Sequence, residues 1–260
     1  MVVKNIKTGE QIELMRQAGR VVRLVLNRMG EMAAPGVSTR ELDAEATRLC
    51  LANGAQCLFK GVPSGNGSGP FPGAICASIN EQVVHGIPTD RKLRDGDIIS
   101  VDFGVRFNGW CGDAAETFLV GNVAEPVRHL VDATRNSLAL AISMVKPGPM
   151  WSTVARAIQG YIEGEGFSVA RDLTGHGIGR EMWESPSVPN YLARGMGRYD
   201  FVLREGMTIA IEPMANMGTG AINCLEDGWT VVTADGKPSA HFENTVAVTA
   251  DGAEILTRVD

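Results

Sequence analysis

Five residues have the types and the settings that chemistry would need: Asp102, Asp113, His176, Glu212 and Glu243. Asp102 follows the apolar run Ile98-Ile99-Ser100-Val101, and Glu212 follows Thr208-Ile209-Ala210-Ile211. An ionised carboxylate at the end of a buried strand is costly unless it is paired, protonated or bound to a cation. The two runs also share a preface. Arg94-Asp95-Gly96-Asp97 leads into the first, and Arg204-Glu205-Gly206-Met207 into the second. Two similar units that each deliver a carboxylate point to one cation site between them. Four carboxylates with one imidazole suit Mn, Fe(II), Co or Zn better than Mg, which prefers oxygen ligands and keeps several waters. Four acids around one divalent ion leave excess negative charge, so two ions with bridging carboxylates are expected. Two ions about 3.5–4 Å apart activate a shared water and polarise a carbonyl or phosphoryl oxygen. The expected chemistry is metal-assisted hydrolysis of an amide or a phosphate ester. No G-x-S-x-G elbow occurs, which disfavours a serine hydrolase.

The elements that must position these groups come in two similar sets. Met15, Ala18, Val22, Val25 and Met29 recur at helical spacing over 11–30. Ala34-Pro35-Gly36 then turns, and Ser38 with Glu41 forms a capping box for a second helix that stops near Gly54. The loop from Gly61 to Gly73 lacks the glycine spacing of a phosphate cradle and fits the mobile rim of a pocket better. A strand over 74–79 follows, then the acid-tipped strand, then Asn108-Gly109, a two-residue hairpin signal that brings Asp113 back toward Asp102. Near residue 122 the pattern restarts. Leu130, Thr134, Leu138, Ala141 and Val145 keep helical spacing, Lys146-Pro147-Gly148 mirrors Ala34-Pro35-Gly36, and Val154, Ile158 and Ile162 open another helix. The tripeptide His176-Gly177-Ile178 repeats His85-Gly86-Ile87, and alternation places His241, Glu243 and Thr245 on one strand face. We read two related halves, 10–120 and 125–255, in one domain over 1–260, with the seam as the natural place for a site.

Bulk properties narrow the class. A chain of 260 residues with 44% apolar content can bury one large core. A net charge of −6 argues against nucleic-acid specificity. Five cysteines, an odd number without a C-x-x-C pair, argue against a disulfide framework or structural zinc. The N-terminus carries no signal peptide, and no apolar run is long enough to span a bilayer. These features predict a cytoplasmic monomer with no membrane partner.

Asp102, Asp113 eleven residues on, Gly175-His176-Gly177-Ile178-Gly179, Ile211-Glu212-Pro213-Met214 and Phe242-Glu243-Asn244-Thr245 together resemble the type I methionine aminopeptidases, over residues 5 to 257. The resemblance implies the α/β (α+β) pita-bread fold, with helices packed on a curved antiparallel sheet around a dinuclear metal site. It implies removal of the initiator methionine from nascent chains with a small second residue. It implies that Asp102, Asp113 and Glu243 hold one metal and that Asp113, His176, Glu212 and Glu243 hold the other. Glu212 would also be the general base, and His85 would contact the scissile amide or its tetrahedral intermediate. Phe71, Cys76, Met182 and Trp229 would line the methionine pocket.

The chain departs from this pattern in places. Trp183 stands where the family has a second substrate-binding histidine, seven residues after the ligand histidine. Asn244 replaces a common histidine, and the 61–73 loop is longer than usual. Nascent-chain substrates imply transient ribosome contact, by a route other than the zinc-finger extension that this chain lacks. Two alternatives stay open: a proline-directed peptidase of the same fold, which usually carries a large extra N-terminal domain, and a metal-binding homologue that Trp183 has impaired.

Overall fold

The computed structural model describes residues 6–65 and 67–258. Helix α1 spans Gly9–Met32, opened by a Thr8/Gln11 capping box, and α2 spans Thr39–Ala52, opened by the Ser38/Glu41 box that the sequence predicts. The stripe of Met15, Ala18, Val22, Val25 and Met29 is fully buried. Each such side chain contributes about 1–3 kcal/mol by leaving water. The stripe packs on a hairpin of the strands Ile98–Phe107 and Trp110–Leu119, and Cys76–Ile79 pairs along the other edge of the first strand. Helices α3, Glu125–Met144, and α4, Trp151–Gly164, cover a five-stranded sheet in the second half. Its order is Ala253–Ile255, Asn244–Val248, Thr208–Ile211, Gly175–Gly177 and Glu184–Val188. Among the described residues no helix is long and apolar enough to cross a membrane.

The repeat seen in the sequence is also a repeat of hydrogen bonds. Gly96 N–H donates to Val120 O at 2.8 Å, and Gly206 N–H donates to Val248 O at 2.9 Å. Gly36 N–H donates to Leu93 O and Gly148 N–H to Leu203 O, at 2.8 and 3.0 Å. Both Gly96 and Gly206 have positive φ, 92° and 83°, so the Arg-acid-Gly preface is a turn that needs glycine in each copy. One sequence repeat has no such counterpart. The second His-Gly-Ile lies in a strand, with Gly177 opposite Ile209, whereas His85 lies beyond the end of the strand Gln82–Val84 with φ of +58°. The shared tripeptide does not mark equivalent positions.

The seam joins the strand Trp110–Leu119 to residues 241–245. Ala115 and Glu243 exchange backbone bonds, at 2.9 Å from Glu243 N–H and 3.4 Å from Ala115 N–H. On one side the Thr245 hydroxyl accepts from Asp113 N–H at 3.0 Å and donates to Asp113 O at 2.8 Å. On the other, the Thr117 hydroxyl accepts from His241 N–H at 2.9 Å and donates to His241 O at 2.8 Å. Residues 113, 115 and 117 thus answer 241, 243 and 245, each 128 further along. A local twofold runs through this ladder, and it carries Asp113 onto His241. Thr245→Val keeps the volume but leaves a buried N–H and C=O of Asp113 without partners. We expect it to cost about 2–3 kcal/mol, a Tm drop of roughly 5–10 °C by calorimetry. An unchanged Tm would mean that the ladder does not join the halves.

Candidate metal centre

The hairpin explains why two aspartates eleven residues apart meet. Asn108 and Gly109, at φ of 50° and 78°, make its two-residue turn. This sets Asp102 opposite Ala115 and Gly104 opposite Asp113. Positions 102 and 104 share a face, so both carboxylates project from the same side. They do not sit at a strand end, as the apolar run suggested. The strand continues through Phe103 to Phe107, so Asp102 lies near its middle, and Asp113 lies inside the partner strand Trp110–Leu119. Gly104 makes room beside Asp113: a Cβ there would lie 3.2 Å from Asp113 Oδ1 and 2.4 Å from the Met182 methyl.

Glu212 follows the strand Thr208–Ile211, its carbonyl held by Asn190 Nδ2 at 2.8 Å. Glu243 follows His241 at the seam and is 2% exposed. His176 Nδ1 lies 2.9 Å from Gly177 O. A carbonyl only accepts, so Nδ1 carries the proton and Nε2 presents its lone pair or its second proton to the acids. His176 Nε2 is 3.7 Å from Asp113 Oδ2 and 3.9 Å from Glu212 Oε1. Ligand atoms of Asp113, His176 and Glu243 all fall within 4.8 Å of one another. All five predicted ligands line one cavity of about 410 Å³.

Packed this closely, the acids resist ionising. Burial, reinforced by Asp113, pushes Asp102 well above the usual carboxylate range. Burial and Asp113 do the same to Glu243. Burial raises Glu212 to about 8, against the opposing pull of His176. Burial lowers His176, but Asp113 and Glu212 outweigh it and bring the imidazole to about 9. Three buried carboxylate oxygens, Asp102 Oδ1, Asp113 Oδ1 and Glu243 Oε1, have no hydrogen-bond partner. Orphaned acceptors are costly, and together with the His176 lone pair they form the donor set that divalent cations take. The residues present therefore fit a metal.

The remaining predicted positions divide. Phe71, Cys76, His85, Trp183 and Trp229 line the cavity with the ligands. Phe71 and Trp229 meet edge to face at 5.2 Å, and Trp229 Nε1 donates to Gly69 O at 3.2 Å. The 61–73 loop thus forms the rim. Its neck is pinched by Gly61 N–H to Phe71 O and Phe71 N–H to Val62 O, both 2.8 Å. Met182 does not line the cavity, contrary to the resemblance. It is 5% exposed and packs over Gly104 in the apolar cluster behind the wall. Phe59 and Val62 stand on the wall instead. Their only signal was apolar character beside the glycine-rich loop. His241, which the alternation sets on one face with Glu243, is 1% exposed, with Nε2 3.7 Å from Glu212 Oε2. Burial, then His85, lowers it to about 3, so it is neutral.

A family model, metallopeptidase family M24, matches residues 13–250. The chain belongs to metallopeptidase family M24. Its relatives place it among the methionine aminopeptidases of that family. It is 45% identical to methionine aminopeptidase 1 of Bacillus subtilis over 253 residues, 97% of this chain and 98% of that one. It is 47% identical to methionine aminopeptidase B of a Synechocystis strain, covering 96% and 90% of the two chains. Among solved structures, methionine aminopeptidase from Thermotoga maritima superposes with a TM-score of 0.91 at 43% identity, over 98% of this chain and 99% of that one. Prolidase from Pyrococcus furiosus shares the fold alone, with a TM-score of 0.78 at 23% identity, and this chain covers 66% of it. The M24 assignment makes the chain a metal-dependent hydrolase of peptides, and the expected pita-bread architecture stands.

Proposed function

We propose that this M24 chain removes the N-terminal methionine from peptides and nascent proteins whose second residue is small. The observation that carries the reading is the cavity itself. An apolar, sulfur-tolerant wall of Phe59, Val62, Phe71, Cys76 and Trp229 adjoins the cluster of acids and His176. A thioether side chain suits such a wall physically. Asp102, Asp113, His176, Glu212 and Glu243 would hold two divalent ions, drawn from Mn, Co, Fe(II) or Zn. Bound divalent ions supply a nucleophilic hydroxide at neutral pH and polarise the scissile carbonyl.

The chain's own groups do the rest. Glu212 takes a proton from the attacking water and returns it to the leaving amine, a task that needs a pKa near the working pH. His85 is kept neutral by burial, which lowers its pKa, and faces the cavity from a left-handed backbone position. The next residue, Gly86, lies so close to Ala77 O that a Cβ would stand 2.4 Å away. From there the His85 imidazole hydrogen-bonds the scissile amide. The same reading takes residues 1–260 as one domain, acting as a monomer in the cytoplasm in transient contact with the ribosome.

The test is metal reconstitution of chelated protein, assaying methionine release from Met-Ala-Ser beside Met-Pro and Ala-Pro peptides. Release from Met-Ala-Ser alone, restored by Mn, Co or Fe(II), supports the reading. Cleavage of the proline peptides alone overturns it in favour of a proline-directed peptidase. Trp183 enters the same assay. Its indole is 57% exposed and lines the cavity, where it can meet the second substrate residue. Indole donates one N–H and accepts nothing, so its effect is bulk. Trp183→His is expected to raise kcat/KM for Met-Val peptides about tenfold relative to Met-Ala. An unchanged ratio would remove Trp183 from the account of specificity.

A further inference from the structure

The site cavity has an unlike mix of lining groups. Phe59, Phe71 and Trp229 give it apolar rings, where Phe71 and Trp229 meet edge to face and Trp229 Nε1 donates to Gly69 O. Thr174, Trp183, Glu184 and Ser187 bring polar groups to its lining. Next to it lies a second cavity of about 360 Å³, which the chemistry above leaves unused. Thr174 and Ser187 border both cavities, and their hydroxyls hydrogen-bond at 3.0 Å. This hydroxyl pair is wall to both cavities. The second cavity is walled by Pro189, Ala193, Met196 and Tyr199 over a floor of Trp151 and Phe201. The floor is rigid: the two rings lie parallel within 4° at 6.0 Å, and Trp151 Nε1 donates to Pro189 O at 2.9 Å.

We infer that this second cavity is a subsite for the substrate chain downstream of the cleaved bond, taking an apolar side chain from the third residue or beyond. The inference rests on the aminopeptidase reading. A methionine side chain against the apolar rings leaves the polar groups on the path of the rest of the polypeptide. That path runs over the Thr174–Ser187 pair, along Glu184–Val188, the outermost strand of the five-stranded sheet. An edge strand offers unpaired backbone groups to an extended peptide. Such a peptide advances about 3.3 Å per residue, so a few residues past the cut carry it past that pair. The two hydroxyls offer hydrogen bonds to its backbone, and the aromatic floor offers dry contact for one side chain. Tyr199, 67% exposed, stands on the wall where an incoming side chain would cover it.

The experiment uses Mn-reconstituted protein and the peptide Met-Ala-Ser-Ser-Ser-Ser, with leucine placed in turn at the third to sixth positions. One position is expected to lower KM about tenfold with kcat little changed, the worth of burying one leucine. Ala193→Phe, which fills the cavity, and Tyr199→Ala, which strips its wall, are expected to erase that advantage while turnover of Met-Ala-Ser stays at the wild-type rate. Neither residue touches the site cavity. The inference is overturned if every leucine position stays within about twofold of serine, or if both variants keep the advantage. Failure of the wild type on Met-Ala-Ser would overturn the aminopeptidase reading itself, a separate result.

Discussion

Glu212→Gln is expected to lower kcat by about 10²- to 10⁴-fold, the usual worth of a positioned general base, and at the same time to stabilise the metal-free protein at pH 8. The two effects share one cause. Glu212 is buried against Asp113 and His176, and burial raises its carboxyl from 4.5 to about 8. Above pH 4.5 the unfolded chain ionises this group while the folded protein resists, so folding bears a growing penalty up to about pH 8. Glutamine keeps the shape and never ionises, which removes the penalty along with the base. Steady-state kinetics on Met-Ala-Ser and calorimetry after chelation read the two halves separately. A variant that loses activity but gains no stability would show that Glu212 is not buried under strain. One that keeps full turnover would end its role as base.

Metal-free protein is expected to lose stability as pH rises from 6.5 to 9. Glu212 and His176 show the sign most directly. The folded state holds a proton on Glu212 to about pH 8 and on His176 to about pH 9. The unfolded chain releases the same protons near 4.5 and 6.5. Wherever the folded state binds more protons, stability falls with rising pH. His241 acts oppositely but elsewhere: lowered to about 3, it adds stability as pH climbs from 3 to 6.5 and nothing above. Glu212 and His176 bound the window from 6.5 to 9, and Asp102 and Glu243, also raised by burial and by Asp113, act in the same sense. The loss is a few kcal/mol, on the order of 10 °C in Tm. Divalent metal ions replace those protons, so adding Mn at pH 8 should restore Tm and acidify a weakly buffered solution. A flat Tm across this window in chelated protein, or metal uptake without proton release, would contradict the electrostatics of the site.

The chemistry was legible in the chain because metal chemistry needs particular side chains in particular local settings. Asp102, Asp113, His176, Glu212 and Glu243 could be picked out one by one, and all five line one cavity. The helices were legible for a related reason. The stripe from Met15 to Met29 and the Ser38/Glu41 box are local patterns, and local geometry answers them. Even the repeat showed, because the Arg-acid-Gly turns need glycine at positive φ in both copies.

Pocket walls were harder to read. Met182 has the right character for a methionine pocket but packs behind the wall over Gly104, while Phe59 and Val62, without any motif, stand on it. Apolar side chains are interchangeable in composition, and only packing decides which face of a wall they occupy.

The sequence by itself picked out the acids and the histidine that line the cavity, the helices and the hairpin that brings Asp102 and Asp113 onto one face. Strand alternation and a two-residue turn settle those within a few residues. Tertiary structure alone decided where the halves meet. The Thr117 and Thr245 hydroxyls lock peptide groups 124 and 132 residues away, carrying Glu243 to Ala115 and setting His241 where the twofold places Asp113. It also decided that a second cavity would open beside Thr174 and Ser187. Such contacts join segments that share no local pattern, and their energy exists only once both halves have folded and excluded water from the seam.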